Sequence, residues 1–344
     1  MNLVLSWPKY YLSITKKIKC KMSKKVFIST FPFGKCGKKP IELLQKEGIE
    51  IVNNPLKRRL KKKEVVELIH DVDVIIAGTE PYPEEIYKLP RLEGICRVGI
   101  GLDNIMFKEA IDNNIKITYT PDAPSQAVAE LTVANIICLA RKIIESDRSV
   151  RMGYWNRYLG HLLKELTIGV LGVGRIGKIL IKLLQPFGAT IIASDIHPDE
   201  KFKSSYNFDW ASTEDIFRKS DIITLHIPGN KANYNFVSRD KISLMKTGSS
   251  LINSSRGTVI DEEALYDALI QGHIGGAALD VFKDEPYSGK LTKLDNVIFT
   301  AHMGASANES RYLMELGAVE DCIRILKGER PKHDAILENP DLIA

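Results

Sequence analysis

Cysteine is scarce in this sequence, which has only five among its 344 residues. They are Cys20, Cys36, Cys96, Cys138 and Cys322, and no two of them form a C-x-x-C pair. An odd, scattered set argues against a disulfide framework and offers no paired metal-ligand spacing, so we predict no metal site. Such a set is typical of a reducing compartment, and we expect a cytoplasmic location.

Long apolar runs are also lacking. No stretch reaches the roughly 18 apolar residues of a membrane-spanning helix, so no membrane association is predicted. In the first 21 residues the apolar part precedes the basic part and no small-residue cleavage site follows, which is the wrong order for a secretory signal. We interpret residues 1–22 as a tail that is disordered or that precedes the true start at Met22.

A strong excess of one charge is missing as well. The net charge is +5, which is too small and too scattered to indicate nucleic-acid binding. The densest basic run consists of Lys57, Arg58, Arg59, Lys61, Lys62 and Lys63. We interpret this run as a solvated loop or helix start, with contact to a phosphate or other polyanion as the alternative.

The chain is long enough for two domains, and its 44% hydrophobic and 26% charged residues are ordinary for a globular protein. From Lys25 to Tyr119, short apolar strands alternate with amphipathic helices, which predicts a parallel sheet with helices on both faces. One long helix is predicted over 123–151. It could bridge two domains or serve in a dimer, and a helix buried in the core is an equally good interpretation.

A glycine-rich segment organises the second half of the chain. An apolar run over 166–171 predicts a buried strand, and Gly172, Gly174 and Gly177 then form G-x-G-x-x-G before a helical pattern. The first glycine permits a tight turn, the second lets the backbone approach a pyrophosphate, and the third allows close packing of helix on strand. The N-terminus of the helix offers free N–H groups to phosphates, so the segment predicts dinucleotide binding.

Asp195 indicates which dinucleotide is bound. It follows a second predicted strand over 190–194, 18 residues after Gly177. Its carboxylate would accept hydrogen bonds from the adenosine ribose and would repel a 2′-phosphate. The next residues, Ile196 to Pro198, include no arginine, so NAD is favoured over NADP.

The remaining elements predict the architecture. Further strands near 222–226, 250–253, 276–279 and 297–300 alternate with helices, and a last helix near 307–327 has no sheet of its own to follow. We therefore expect that helix to pack back on the first domain. The predicted fold class is α/β, with two Rossmann-like, doubly wound parallel-sheet domains. An NAD-binding domain, 121–304, would be inserted into a discontinuous flavodoxin-like substrate-binding domain formed by 23–120 and 305–335.

Arg256, Glu285 and His302 lie at or just after predicted strand ends, where ligands bind in open α/β sheets. Taken singly, each has an ordinary structural interpretation: an ion-paired surface arginine, a turn residue before proline, and a cap. Their joint occurrence beside a dinucleotide motif favours a common active site. Asp280 lies in the same zone, and His226, also at a strand end, is interpreted as structural or cofactor-lining.

Four segments resemble those of the D-isomer-specific 2-hydroxyacid dehydrogenase family. They are RVGIGLDN (97–104), NSSRGTVIDEEAL (253–265), GGAALDVFKDEP (275–286) and NVIFTAHMGAS (296–306). They occur in the family's order within a resemblance running from about Lys25 to Gly328, which makes them far more specific than the glycine motif alone. The first segment also fits the D-3-phosphoglycerate dehydrogenase branch.

The resemblance implies roles for individual residues. His302 would be the general base, Glu285 would orient it and stabilise its imidazolium, and Arg256 would bind the substrate carboxylate. The implied NAD site comprises Gly172, Gly174, Arg175, Ile176, Gly177, Asp195, Ile227, Ser254, Ser255, Asp280, Gly304 and Ala305, with Asp280 receiving the nicotinamide carboxamide. The implied substrate site comprises Arg97, Val98, Gly99, Ile100 and Arg256, with the amides of 99–101 facing the substrate carboxylate. A homodimer formed through the nucleotide domain is also implied.

The sequence departs from the family pattern in several places. Ala301 replaces the proline usual before the histidine, and Met106 replaces an acid. Ala77-Gly78-Thr79 carries no arginine at the strand end where the phosphoglycerate enzymes often place a phosphate contact, although Arg97 remains. The chain ends soon after Gly328 without a C-terminal regulatory domain, so feedback by serine through such a domain is not expected.

Three functions are therefore considered. The favoured one is NAD-dependent oxidation of 3-phosphoglycerate to 3-phosphohydroxypyruvate, a reaction of serine biosynthesis. The second is the same chemistry on glycerate, hydroxypyruvate or a larger sugar acid. The third is a non-catalytic NAD-sensing protein, because some transcriptional corepressors resemble this fold and keep the same three residues.

Overall fold

The computed structural model describes residues 23–339 and contains two parallel β-sheets with helices on their faces. The predicted tail, 1–22, lies outside the described residues. The predicted α/β class with two parallel-sheet domains is confirmed. The domain boundaries at 121 and 304 stay an interpretation of the sequence.

The first sheet has five strands in the order β2-β1-β3-β4-β5. Its strands are β1 (Lys25–Ile28), β2 (Glu50–Asn53), β3 (Val74–Ala77), β4 (Gly94–Arg97) and β5 (Lys116–Thr118). Its helices are α1 (Lys39–Lys46), α2 (Lys62–Leu68), α3 (Glu84–Tyr87) and α4 (Phe107–Asp112). This strand order is that of flavodoxin-like folds, and it creates a topological switch point between β1 and β3.

The second sheet has seven strands in the order β12-β11-β10-β9-β6-β7-β8. Its strands are β6 (Thr167–Leu171), β7 (Thr190–Ser194), β8 (Asp209–Trp210), β9 (Ile222–Leu225), β10 (Ser249–Asn253), β11 (Ile274–Leu279) and β12 (Val297–Phe299). Its helices are α7 (Arg175–Leu184), α8 (Glu200–Lys203), α9 (Thr213–Lys219), α10 (Arg239–Leu244) and α11 (Glu262–Ile270), and α5 (Ser125–Arg141) and α6 (Ile143–Arg151) precede the sheet. The order is Rossmann-like, with the switch point between β6 and β9.

The strands form at short stretches of the sequence that are apolar and rich in β-branched residues. Val74, Ile75 and Ile76 of β3 are fully buried, because helices cover both faces of the sheet. Burying a side chain of this size contributes about 1.5–3 kcal/mol.

The single long helix predicted over 123–151 is wrong, because the structure has two helices that meet at Lys142. That residue adopts a left-handed conformation (φ 52°, ψ 43°) that ends α5 and starts α6. Neither glycine nor proline marks the break, and the helical periodicity continues through it. Helix α5 buries Ala129, Thr132 and Ile136 and packs on α7, β10 and β11, so this half of the segment is a core helix.

The last long helix returns to the first sheet. Helix α12 (Asn308–Leu326) packs against β3, β4 and α1, and Met314, Val319 and Cys322 join the apolar cluster of Val26 and Ile28. The short helix α13 (Ala335–Glu338) packs on β5. The core of the first sheet is therefore completed by residues that follow the second sheet in the chain. None of the helices within 23–339 is both long and apolar enough to cross a bilayer.

Candidate active site

The glycine turn lies at the switch point of the second sheet. Gly172 has φ +93°, and a β-carbon there would lie 2.5 Å from the carbonyl oxygen of His226 at the end of β9. A β-carbon on Gly177 would overlap the carbonyl oxygen of Gly172. Gly174, at the N-cap of α7, faces open space, since no atom lies within 4 Å of a β-carbon built there. The turn therefore combines tight packing with an open approach to free helical N–H groups, which fits a dinucleotide pyrophosphate.

Asp195 is tied to this turn. Its Oδ2 accepts from the Val173 amide (2.6 Å) and its Oδ1 from the His197 amide (2.8 Å). Each carboxylate oxygen keeps a further lone pair for a ribose hydroxyl. Arg175 forms an exposed ion pair with Asp122 (2.8 Å), and Ile176 packs on the apolar cluster beneath α7.

His302 and Glu285 are brought into contact from separate loops. His302 Nδ1 lies 2.9 Å from Glu285 Oε2, and the Phe282 amide donates to Glu285 Oε1 (3.1 Å). Because a carboxylate only accepts, Nδ1 carries the proton and Nε2 remains free to act as a base. Burial acts to raise the pKa of Glu285, but the hydrogen bond and charge of His302, the Phe282 amide and the charge of Arg59 together lower it.

The loop that carries His302 is held by Asp280. This carboxylate is 1% exposed, and its backbone oxygen accepts from the His302 amide (2.8 Å). Its side chain accepts from Thr300 Oγ1 (2.6 Å) and from the amides of Met303 and Gly304 (both 2.8 Å). These bonds hold His302 at φ 50°, a left-handed conformation that costs a non-glycine residue about 1–3 kcal/mol. Asp280 thus positions His302, a role that the sequence did not indicate.

Arg256 reaches across to the first sheet. Its Nε donates to Asp103 Oδ2 (2.8 Å) and its Nη1 to the carbonyl of Ser255 (2.7 Å). Its Nη2 lies so close to Gly101 that a β-carbon there would overlap it. Arg256 therefore presents one edge of its guanidinium to the loop 99–101, as a substrate carboxylate there would require.

Only part of that loop has free amides. The Gly99 amide donates to Thr120 Oγ1 (2.8 Å) and Arg97 O (3.1 Å), whereas the amides of Ile100 and Gly101 donate to no atom of the described residues. The expected trio of free N–H groups over 99–101 is therefore reduced to two. Val98 is buried and donates its amide to Ala77 O (2.9 Å).

Arg97 is a buried cation at the end of β4. It donates through Nη1 to the carbonyl of Val98, and its Nε has no hydrogen-bond partner within the described part of the chain. Burial lowers the pKa of Arg97 to about 10; Tyr82 and Glu80 oppose this effect, while the charges of Arg256 and Arg311 add to it. Arg97 packs against Gly99 and Arg256 against Gly101, so both guanidinium groups adjoin the loop 99–101, where they favour an anion.

The remaining predicted cofactor residues follow strands β9, β10 and β12 of the second sheet. Ser254 Oγ is buried with no partner among residues 23–339, as expected of a group that meets a ligand, and Ser255 Oγ donates to Asn253 Oδ1 (2.8 Å). Ile227 contacts the glycine turn. Gly304 binds Asp280, and Ala305 packs on the apolar cluster of the first sheet.

His226 is half-buried between the glycine turn and the end of β9, with its Nδ1 shielded from solvent. Its Nε2 lies 3.0 Å from Thr224 Oγ1, and its Nδ1 has no partner within the described residues. Burial lowers the pKa of His226 to about 4. The ring is therefore neutral at physiological pH. Its Nδ1, which has no hydrogen-bond partner among the described residues, lies beside the predicted cofactor site.

Asp103, the partner of Arg256, is a residue of this site that sequence reasoning missed. Asp103 is 153 residues from its partner Arg256, so no local pattern connects them. Arg59, in the basic run interpreted as a solvated loop or helix start, is exposed in the loop before α2, and its Nε and Nη2 donate to the carbonyl of Thr79 (3.1 and 2.8 Å).

Comparison with known proteins identifies the family. Residues 133–304 match the family described as D-isomer specific 2-hydroxyacid dehydrogenase, NAD binding domain. The chain is 36% identical over 296 residues to the D-3-phosphoglycerate dehydrogenase of Methanocaldococcus jannaschii, covering 84% of this chain and 56% of that protein. It is 35% identical over 291 residues to the glyoxylate reductase of Thermococcus litoralis, covering 81% and 87%.

A solved structure has the same architecture. The crystal structure of the TT0316 protein from Thermus thermophilus matches with a TM-score of 0.82 and 28% identity, covering 90% of this chain and 99% of that one. The predicted family and NAD as the cofactor are confirmed by these matches. The chain therefore belongs to the D-isomer specific 2-hydroxyacid dehydrogenase family and is an NAD-dependent oxidoreductase of a small 2-hydroxy acid.

Proposed function

We propose that the chain interconverts 3-phosphoglycerate and 3-phosphohydroxypyruvate with NAD, using Arg256, Glu285 and His302 as its catalytic residues. The observation that supports this most directly is the His302–Glu285 pair, with its free Nε2, beside an arginine that reaches the loop 99–101. Such a pair with a neighbouring guanidinium provides a base for a hydroxyl proton and a clamp for the adjacent carboxylate.

The residues divide the reaction between them. NAD, when bound, supplies the hydride acceptor. His302 takes the hydroxyl proton at Nε2, and Glu285 stabilises the imidazolium through its 2.9 Å contact with Nδ1. Arg256 holds the substrate carboxylate together with the Ile100 and Gly101 amides, and in the reverse direction it polarises the carbonyl oxygen. Asp280 keeps His302 in position and, as proposed from the resemblance, receives the nicotinamide carboxamide.

The alternative substrate is a 2-hydroxy acid without phosphate, such as glycerate, with hydroxypyruvate or glyoxylate in the reverse direction. One observation favours this alternative. Glu80, the residue after Ala77-Gly78-Thr79, is 2% exposed, so a buried carboxylate lies beneath that strand end. The Glu80 carboxylate accepts a hydrogen bond from Tyr82 Oη (3.0 Å). The similarity to the Thermococcus litoralis glyoxylate reductase also supports this substrate class.

An NADH-linked assay of purified protein separates these substrates. The panel contains 3-phosphohydroxypyruvate, hydroxypyruvate and glyoxylate, and we expect the highest kcat/KM for the phosphorylated acid. No turnover of it alongside good turnover of another acid would decide for the alternative. NADH binding with no turnover of any acid would instead support a non-catalytic NAD sensor.

We also propose that the chain forms a homodimer through the region 143–162. This region exposes a concentration of apolar side chains that is unusual for a monomer surface: Ile143, Val150, Met152, Tyr154, Trp155, Tyr158, Leu159 and Leu162. Trp155 is 79% exposed and Leu159 is 91% exposed.

Sedimentation tests the dimer. The wild-type chain is expected to sediment as a dimer and Leu159→Glu as a monomer, because the new carboxylate would be desolvated in the interface. Ile270→Glu, an exposed apolar position on α11, is the matched control and should remain dimeric. A monomeric wild-type chain would contradict the proposal.

We propose a cytoplasmic location, and the thiols support it. Cys36, Cys96, Cys138 and Cys322 are free. Free thiols persist in a reducing compartment, and this supports a cytoplasmic location. Cell fractionation that recovers the chain outside the cytoplasm would contradict it.

A further inference from the structure

The basic run Lys57–Lys63 contains two arginines with different partners. Arg58 is neutralised by Glu64 through two hydrogen bonds, Nη1 to Oε2 (2.8 Å) and Nη2 to Oε1 (2.6 Å). Glu64 also accepts from the Lys61 amide and caps the start of α2. Arg59 turns the other way and contacts Thr79. The two neighbours therefore form a natural pair for comparison, one engaged with a carboxylate and one without.

Arg59 is held in place by its flanks. Asn54, which is buried, donates from Nδ2 to the carbonyls of Ser29 (2.9 Å) and Arg58 (2.8 Å). On the other side, Leu60 is 1% exposed and belongs to the apolar core of the first sheet. The loop is thus fixed on both sides of Arg59, and the side chain is presented from a rigid support although it is itself exposed.

The place where Arg59 lies is the switch point of the first sheet. Ser29 follows β1 and Thr79 follows β3, and these two strands flank the point where the strand order reverses. Ligands in open α/β sheets bind beyond the carboxyl ends of strands at such points. Strand β4, which leads into the loop 99–101, is the neighbour of β3 on its other side. Arg59 therefore lies beside the predicted substrate loop.

Within residues 23–339, no carboxylate neutralises the charge of Arg59 by direct contact. Arg59 forms no ion pair within 4.0 Å in the described part of the chain, and its Nη1 makes no hydrogen bond there. Glu80, the buried carboxylate beneath this strand end, bonds Tyr82 and Ser29 and acts electrostatically on Arg97. The charge of Arg59 also contributes to lowering the pKa of Glu285, which holds His302.

We propose that Arg59 binds a second anionic group of the substrate, a phosphate or carboxylate on the carbon chain beyond the reacting carbon. Arg59 would then supply, from a different loop, the guanidinium that Ala77-Gly78-Thr79 lacks. The Thr79 carbonyl fixes Nε and Nη2 and leaves Nη1 for the ligand, and guanidinium suits phosphate and carboxylate oxygens geometrically. The inference rests on the proposed function as a 2-hydroxyacid dehydrogenase and adds that 2-hydroxy acids with a second anionic group are preferred.

The test compares two substrates in three proteins. The substrates are 3-phosphoglycerate and glycerate, which differ by the phosphate, and the proteins are the wild type, Arg59→Gln and Arg58→Gln. Removing a charge-assisted contact should lower kcat/KM of Arg59→Gln for 3-phosphoglycerate by about 10- to 100-fold, chiefly through KM. The loss on glycerate should be much smaller. Arg59→Lys should restore part of the affinity, and Arg58→Gln should behave as the wild type on both substrates.

The possible failures are distinguishable. Equal losses on both substrates in Arg59→Gln would overturn the proposal and indicate a structural role for Arg59. An unchanged KM for 3-phosphoglycerate would overturn it also, as would a wild type that prefers glycerate, although the dehydrogenase function would stand in both cases. No turnover of any 2-hydroxy acid by the wild type would remove the proposed function and this inference together.

Discussion

The two sheets of this protein present their chemistry in different ways. Around the second sheet, a turn of six residues contains all three glycines, and Asp195 follows one strand later. Around the first sheet, the site depends on contacts between distant residues: Arg59 with Thr79, Gly99 with Thr120, and Asp103 with Arg256. The residues of the cofactor site are thus close together in the sequence. The residues of the substrate site come from loops that are distant in the sequence and contact one another only in the fold.

The difference has a physical basis. A pyrophosphate is bound by backbone N–H groups at one helix start, and the glycines that expose them must be adjacent in sequence. A small acid in a cleft needs side chains from several directions, and any loop that reaches the same point serves equally well. The second sheet should therefore respond to changes in single motifs, and the first sheet to changes in long-range pairs. The predictions below test this contrast.

The largest effect is expected from His302→Ala. Loss of a general base lowers kcat by about 10²- to 10⁴-fold, while NADH affinity should persist because the glycine turn and Asp195 are untouched. Stopped-flow or steady-state assays combined with NADH titration measure both quantities. His70→Gln, at an exposed site outside the proposed dimer interface, is the control. Wild-type turnover in His302→Ala would remove the assignment of the base.

The sequence was sufficient for most of the fold because the strands are short apolar runs separated by glycine and polar turns. It failed where local signals are absent. Lys142 breaks a helix without glycine or proline, and β8 has only two residues, too few for a pattern. The site residues near the motifs could be proposed from sequence, but the part played by Asp280 could not, because its partners Met303 and Gly304 are backbone amides.

Acid is expected to destabilise the second sheet through His226. Its pKa is about 4 in the folded chain because of burial, against about 6.5 when unfolded, so between these values only the unfolded state takes up the proton. The stability contributed by the neutral ring is complete above pH 6.5 and falls by about 3 kcal/mol as the pH drops to 4. Arg97, its buried counterpart in the first sheet, stays charged throughout.

Urea unfolding at pH 7 and pH 4.5 measures this loss. His226→Gln should show a shallower decline in the free energy of unfolding than the wild type, whatever its stability at pH 7. The same series on His70→Gln should follow the wild type, since that histidine is exposed and lies outside the proposed dimer interface. Parallel declines in all three proteins would contradict the role of His226.

Asp195→Ala should alter cofactor choice. Removing the carboxylate removes its repulsion of a 2′-phosphate and its ribose hydrogen bonds, so the ratio of kcat/KM for NAD over NADP should fall by about tenfold, as expected from the loss of one charged interaction. Asp209→Ala, on the edge strand β8 of the same sheet, keeps the wild-type ratio. An unchanged ratio in Asp195→Ala would show that the selection lies elsewhere in the turn.

The smallest effect is expected from Asp103→Asn, which breaks the one charged pair found between Arg256 and the first sheet within the described residues. Asp103 is 56% exposed and its partner 26%, and exposed pairs contribute at most about 1 kcal/mol, so KM for the hydroxy acid should rise by no more than about fivefold. NADH affinity should not change, because Asp103 lies in the loop after β4 of the first sheet. Asp215→Asn removes a surface partner of Lys219 and serves as the control.

The direction of this change is informative because Asp103 and the substrate carboxylate use the same guanidinium. A rise in KM means that Asp103, with the Ser255 carbonyl, aims Arg256 at the loop 99–101 before the substrate arrives. A fall in KM would mean that Asp103 competes with the substrate and that binding must displace it. In the second case the contact between Asp103 and Arg256 would oppose substrate binding. The two sheets would then differ both in how the sequence specifies their sites and in how ligand binding at those sites is regulated.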